Sequence, residues 1–353
     1  MESAIRSACR KQPLASTLRR LATHNPTFPA AAWRRFAALF ALAATIAVAS
    51  LVIGGSGISI SHAIGGLVGS GDETSRAIMM EVRLPRLLAG FGVGSLLALA
   101  GVLLQALFRN PLADPFVLGV SGGAAVGALL AMIGGAALFL VQSAAVVGAL
   151  GAVGLVYLLA RGGGTSRLLL TGVVLASACG ALVSVLLAVA DSTQLRGMVF
   201  WLAGDLGWAL NPWASGLAAL VALAFSFSVA RPLNVLAAGE LRARSVGLHV
   251  DAWRMVVFVA CATLTAIAVV SAGTVGFVGL ITPHAVRLAF RTSDHRIVAP
   301  ASALLGGTVL AAADLVARTI ASPRQLPVGA VMALIGAPLF IALLRSRGVS
   351  STR

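Results

Sequence analysis

Apolar and polar positions along this chain alternate in long blocks, not at the short periods of a soluble fold. Ten apolar stretches lie near residues 36–53, 87–108, 117–137, 141–160, 168–190, 213–230, 255–272, 275–290, 298–317 and 326–344, with short Gly-, Pro- or Arg-bearing breaks between them. Most approach the ~20 residues that a helix needs to cross a hydrocarbon core. Within a bilayer a helix satisfies its own backbone hydrogen bonds, which an open strand cannot do. The pattern predicts an all-α fold, a polytopic bundle of about ten transmembrane helices. The least obvious break falls within Met255–Thr282, which reads as one apolar run. A straight helix of that length would reach about 42 Å against a core of about 30 Å. Gly273, Gly276 and Gly279 supply the division.

Three polar interruptions are longer than turns. Leu236–Arg254 carries Glu240, Arg242, Arg244, Asp251 and Arg254 and precedes another span directly. Its Ala, Leu, Glu and Arg content predicts a short helix over Ala237–Val246, with Gly247 at the stop. Such a knob between two membrane helices can be offered to a partner; a solvated loop whose arginines only set topology would read the same way. Asp191–Pro212 mixes aromatics with polar residues and predicts a short helix lying partly in the membrane, where Met198, Phe200, Trp201 and Trp208 would anchor it or line a cavity mouth. Gly54–Val82 is rich in Gly and Ser. Within the spans, Gly90 and Gly94, Gly123 and Gly127, and Gly172, Ala176 and Gly180 recur every four residues, the spacing of close helix packing.

Composition agrees with a membrane protein: 59% of residues are hydrophobic and 10% charged, and the mean hydropathy is +0.98. The net charge of +15 does not point to nucleic acid, because the arginines stand singly or in pairs at span ends without interleaved aromatics. With ten spans and the N-terminus inside, 20 of the 26 Lys/Arg fall on the inner side, a strong positive-inside bias. Residues 1–35 then form a disordered cytoplasmic tail, 36–345 the membrane domain and 346–353 a second cytoplasmic tail. Cys9, Cys179 and Cys261 lack any paired spacing, and the five histidines are too dispersed for a metal site. Lys11 is the only lysine and Gln12 follows it, so no phosphate-binding loop of the G-x-x-x-x-G-K-[ST] form exists here. Asp314 is the only acid placed within a span, which argues against a proton- or sodium-coupled carrier. Gly119-Val120-Ser121-Gly122 has the G-x-S-G form of an intramembrane serine protease, with His284 as a base, though in a Gly-rich chain the match is short.

The run RLPRLLAGFGVGSLLALAGVLLQALFRNPLADPFVLGVSGGAAVG from Arg83 to Gly127 resembles the permease subunits of the FecCD family of ABC importers, as do GTVGFVGLITPHAVRLAF, ADLVAR and LPVGAVMALIGAPLF. That family moves ferric siderophores, haem or vitamin B12. The resemblance implies a type II importer permease on the bacterial inner membrane with both termini cytoplasmic. It also implies a second copy of the chain, two ABC ATPase subunits that hold ATP and magnesium, and a periplasmic or lipid-anchored substrate-binding protein; no cofactor binds the permease itself. By the same resemblance Glu240, Arg242, Ala243, Arg244 and Gly247 form the ATPase-coupling segment, with Val246 where a Leu is usual. Asn110, Leu112, Thr165 and Ser166 close the path on the cytoplasmic side, although Asn110-Pro111 also reads as a span-ending turn. Arg83, Arg86 and Arg318 receive carboxylates of the binding protein, while Asp314 and Glu81 are close enough in sequence to pair with them instead. Arg196, Phe200 and Trp201 are candidates for the substrate path. Family frequency ranks iron chelates above cobalamin.

Overall fold

The structure, a computed structural model, describes residues 30–54, 65–66, 72–161, 163–209 and 211–348, and no strand occurs among them. Helix α1 spans Ala30–Val52. Helix α2, Glu73–Ala77, is capped by the Asp72 carboxylate and runs through a π-helical turn, Ile78–Arg83, into α3, Leu84–Phe108. A 3-10 turn at Pro115–Leu118 leads to α4, Val120–Ile133. Then follow α5, Leu138–Ala160, α6, Thr165–Val189, α7, Ser192–Ala203, and α8, Pro212–Ala237. A short α9, Glu240–Ser245, precedes α10, Val250–Ala272, α11, Val278–Phe290, α12, His295–Thr319, and α13, Val328–Gly348.

Each of the ten apolar stretches carries a helix. Among the described residues seven helices are long and apolar enough to cross a bilayer, and α4, α11 and the apolar part of α13 are shorter. The doubtful run is split as expected: α10 stops at Gly273, whose φ is +69°, and α11 starts after Phe277, also at φ +69°. Most bounds shift by a few residues from the sequence pattern, and those of α1, α8 and α10 shift the most, α10 beginning at Val250. Helix α8 continues past Pro232 to Ala237, and α1 already begins at Ala30. The expected tail over residues 1–29 and the last five residues lie outside the described residues.

Helix α3 is the axis of the bundle. Its span is 83% buried, and it packs against α12, α8 and α10. This closeness depends on absent side chains: a Cβ on Gly94 would meet the carbonyl of Gly306 in α12, and a Cβ on Gly306 that of Gly94. Gly123 and Gly127 similarly bring α4 onto Gly148 and Ala144 of α5. Gly180 has open space before it, so the four-residue repeat does not mark contact along all of α6. That helix is only 11% buried, and such an apolar face suits lipid or another protein surface.

With 14 and 13 residues, α4 and α11 reach only about 20 Å, so non-helical backbone must fill part of the membrane's depth. A buried glutamine satisfies such backbone at Ala113 and also the first turn of α11, where Pro283 leaves the Gly279 carbonyl without an intrahelical donor. The Gln105 amide on α3 donates to the carbonyls of Ala113 at 3.4 Å and Gly279 at 3.2 Å, while Arg287 of α11 donates to its Oε1 at 2.5 Å. Irregular backbone at such depth persists only where protein groups satisfy it.

Candidate functional site

The two ends of the bundle concentrate the polar side chains. At the end expected to face the cytoplasm, α9 is set off by Gly239 at φ +117° and Gly247 at φ +80°, conformations that side chains disfavour. The helix starts at Glu240, three residues later than the sequence pattern suggests, because α8 uses Ala237 for its own last turn. Ala243 is fully buried, and its carbonyl accepts from Leu248 N–H at 3.0 Å, which folds the chain back under the helix. Leu241 is 87% exposed, and Arg242 also points outward. Glu240, Arg244, Asp251 and Arg254 close a ring of four ion pairs: Arg244 lies 2.9 Å from Glu240 and 3.4 Å from Asp251, and Arg254 lies 3.4 Å and 3.0 Å from the same carboxylates. The hydrogen bond from Arg244 is the main reason that the Glu240 carboxyl titrates below the usual range, with Arg254 adding to it. The Glu240–Arg244 pair has i,i+4 spacing on one helix, and the link to the start of α10 required the fold.

Beside this ring are the expected gate positions. The Asn110 side-chain carbonyl accepts from Leu112 N–H at 2.9 Å, a turn that lets the chain leave α3 and re-enter the bundle. Leu112 is 46% exposed. Thr165 and Ser166 open α6, and Ser166 lines a cavity that also reaches Glu240 and Arg254. Helix α9 and the start of α6 therefore border one space.

At the opposite end, Arg83, Arg86 and Arg318 all turn into the protein, with 2%, 9% and 8% exposure. Arg83 donates to the carbonyls of Leu51 and Val52 at 2.6 Å and 3.0 Å. Arg86 bridges Asp314 at 2.7 Å and Asp205 at 2.8 Å and donates to Gln325 at 3.1 Å. Arg318 takes the other oxygen of Asp314 at 2.8 Å and donates to Ser50 Oγ at 2.7 Å. Local pairing, the simpler of the two readings of these arginines, is thus present for Arg318, whereas Glu81 is exposed. Asp205 and Gln325 were not singled out from the sequence, where they stand far from Arg86 and carry no motif.

Asp205 follows α7, the short helix anticipated between the fifth and sixth spans. A cavity of about 580 Å³ adjoins α7, lined by Arg196, Phe200, Asp205 and Trp208 among others. The Arg196 guanidinium lies 5.7 Å from the Phe200 ring centroid, a cation–π distance. Trp201 does not share that wall. It is fully buried, because residues 200 and 201 lie about 100° apart around a helix, so one faces the cavity and the other the core.

A third cavity, of about 450 Å³, is lined by Asp114, Ser121, Thr274 and Phe277 among others. His284 is not on its wall; it is fully buried and meets Phe340 edge-on at 6.4 Å. This arrangement gives no support to a Ser121–His284 pair. Among the described residues no cluster of metal-ligating side chains occurs.

Comparison with known proteins agrees with this geometry. The chain matches the FecCD transport family over residues 41–346. It is 45% identical over 284 residues to the cobalamin import system permease protein BtuC of Halobacterium salinarum, covering 78% of this chain and 76% of that protein. It is 41% identical over 276 residues to the vitamin B12 import system permease protein BtuC of Klebsiella pneumoniae, covering 76% and 82%. Among solved structures, a metal-chelate type ABC transporter in an inward-facing conformation is 33% identical with a TM-score of 0.78, over 89% of this chain and 99% of that one. PsaBC from Streptococcus pneumoniae, at 19% identity and a TM-score of 0.54 over 76% and 93%, shares the fold.

Proposed function

The chain belongs to the FecCD transport family of ABC importer permeases, and from that premise we propose that it is the membrane-spanning subunit of a cobalamin importer. The observation that carries this reading is the 45% and 41% identity to two cobalamin permeases over more than three quarters of the chain. Family frequency alone favoured iron chelates, but identity at this level is the stronger guide.

In this reading two copies of the chain enclose the path, two ATPase subunits bind the inner end, and a substrate-binding protein docks on the outer end. The α9 knob, with Leu241 and Arg242 projecting and Ala243 buried, is the element that an ATPase groove grips. ATP binding to the ATPase subunits moves it, and it moves α8 and α10, to which it is joined directly. Because ATP must favour one arrangement over the other to do this, the knob has to be rigid, and the ring around Glu240 supplies that rigidity. Asn110, Leu112, Thr165 and Ser166 close the inner mouth. Arg83, Arg86 and Arg318 support the outer rim from within, so a docking carboxylate reaches Arg86 or Arg318 only by displacing Asp205 or Asp314, and Arg83 only in place of the Leu51 and Val52 carbonyls. Arg196 and Phe200 line the mouth through which the chelate enters.

The test is uptake into proteoliposomes holding the complete importer, offered cyanocobalamin, a ferric siderophore or haem, each with a cognate binding protein. ATP-dependent accumulation of cyanocobalamin alone is the expected result. Accumulation of an iron chelate without cobalamin would reject the reading and restore the iron-chelate assignment.

A further inference from the structure

A cavity of about 840 Å³ lies between the inner ends of α5, α6 and α10 and the coupling helix α9. Four guanidinium groups, those of Arg109, Arg161, Arg244 and Arg254, share its wall with only two carboxylates, Glu240 and Asp251. The charges do not balance, and the imbalance has a definite location. Arg244 and Arg254 each bridge both carboxylates, so those four groups neutralise one another. Arg109 and Arg161 have no ion pair among the described residues. Arg109 is held at the end of α3 in the left-handed conformation, with φ +51°, and reaches toward the backbone of Gly239, where an added Cβ would lie 3.8 Å from its Nη1. Arg161 follows the last turn of α5.

Ser166, Gly163 and Gly164 border the cavity at the start of α6, and the part of the wall formed by α5 and α10 is mainly apolar, with Tyr157, Met255 and Phe258. Directly beside it the outward faces of α5 and α10 are lipid-like: Leu158 is 64% exposed, Leu159 54% and Val259 47%. A cavity with two uncompensated cations at the level of the inner membrane surface, and an apolar wall continuing toward lipid, fits an amphiphile with an anionic head. Basic pockets between transmembrane helices on the cytoplasmic side bind such headgroups.

We propose that this cavity binds an anionic phospholipid of the inner leaflet, with Arg109 and Arg161 holding its phosphate and the acyl chain lying along Tyr157, Met255 and Phe258. The bound headgroup fills the space between the coupling helix and the turn that opens α6, so it braces the knob against the gate. The assignment depends on which end of the bundle faces the cytoplasm, and is independent of which chelate is carried.

The full-length permease is purified, delipidated and equilibrated with mixed micelles holding equal amounts of phosphatidylglycerol and phosphatidylcholine, and retained lipid is counted by native mass spectrometry. The wild type is expected to retain phosphatidylglycerol in preference by about tenfold or more, with the preference falling as salt is raised. Arg109→Gln with Arg161→Gln abolishes the preference, Arg109→Lys with Arg161→Lys keeps most of it, and Arg231→Gln, outside the cavity, leaves it unchanged. Equal retention of the two lipids by the wild type overturns the proposal, whatever the stability of the variants. Retention of the preference by a folded double glutamine variant also overturns it. Displacement of the phospholipid by millimolar inorganic phosphate would assign the cavity to a free anion and reject the lipid.

Discussion

Asp314 is shared by two guanidinium groups, Arg86 on one oxygen and Arg318 on the other, with 2% of its side chain exposed. A buried carboxylate between two cations is a point where removal of one partner is costly, because the remaining charges lose their compensation. Asp314→Asn is therefore expected to destabilise the permease by about 3–5 kcal/mol, seen as a large fall in the thermal unfolding midpoint in detergent. A midpoint within a degree or two of the wild type would show that the cluster contributes little. The same reasoning changes how docking must be tested: charge reversal of Arg86 or Arg318 would disrupt the fold before it reported on a partner. Glu240 lies at the other extreme. It is exposed, and Arg244 holds its carboxyl below the usual range, so its contribution is present above the unfolded-state value of about 4.3 and is lost as the pH falls through the lower folded value. Amide hydrogen exchange in α9 should stay constant from pH 8 to pH 5, after correction for intrinsic rates, and rise only in acid below about pH 4. Loosening near neutrality would contradict the ring.

Among the helices, α9 is the element whose geometry depends most on single backbone positions. Gly247 combines φ +80° with an N–H that donates to the Arg244 carbonyl at 3.0 Å. Proline can supply neither, since its φ is fixed near −65° and it has no N–H. Gly247→Pro is expected to abolish the stimulation of ATP hydrolysis by loaded binding protein while docking of that protein continues. Wild-type uptake in this variant would show that α9 does not transmit the ATPase motion. The coming helix was legible in the sequence from its composition and the glycine stop, but its start was displaced to Glu240. The displacement follows from α8, which continues to Ala237 although Pro232 donates no backbone hydrogen bond, and so consumes residues that a local reading assigns to the knob.

For the whole molecule, the positive-inside count requires the α9 knob and the loop before α7 to lie on opposite sides of the membrane. Ser245→Cys and Asp191→Cys change exposed positions at the two ends. An impermeant maleimide should label the first in inside-out vesicles only and the second in right-side-out vesicles only; labelling of both from one side would invert or break the topology. Which helices bury their faces against one another is a separate matter, decided by tertiary packing. Helices α3 and α6 have nearly equal hydropathy over their spans, yet one is 83% and the other 11% buried.

The sequence by itself determined the helical class, the number and approximate limits of the spans and the existence of a polar knob, and it sets the expected orientation. These follow from apolar run length, the positive-inside bias and turn chemistry, all of which act locally along the chain. Only the tertiary structure decided that Arg86 meets Asp205 and Asp314, that Asp251 and Arg254 close the ring on Glu240, and that Gln105 donates to the carbonyls of Ala113 and Gly279. It also decided that Phe200 faces a cavity while Trp201 faces the core. Each of these is a choice among partners brought together by helix packing, and bilayer hydrophobicity, which drives insertion of every span alike, does not distinguish one apolar helix face from another.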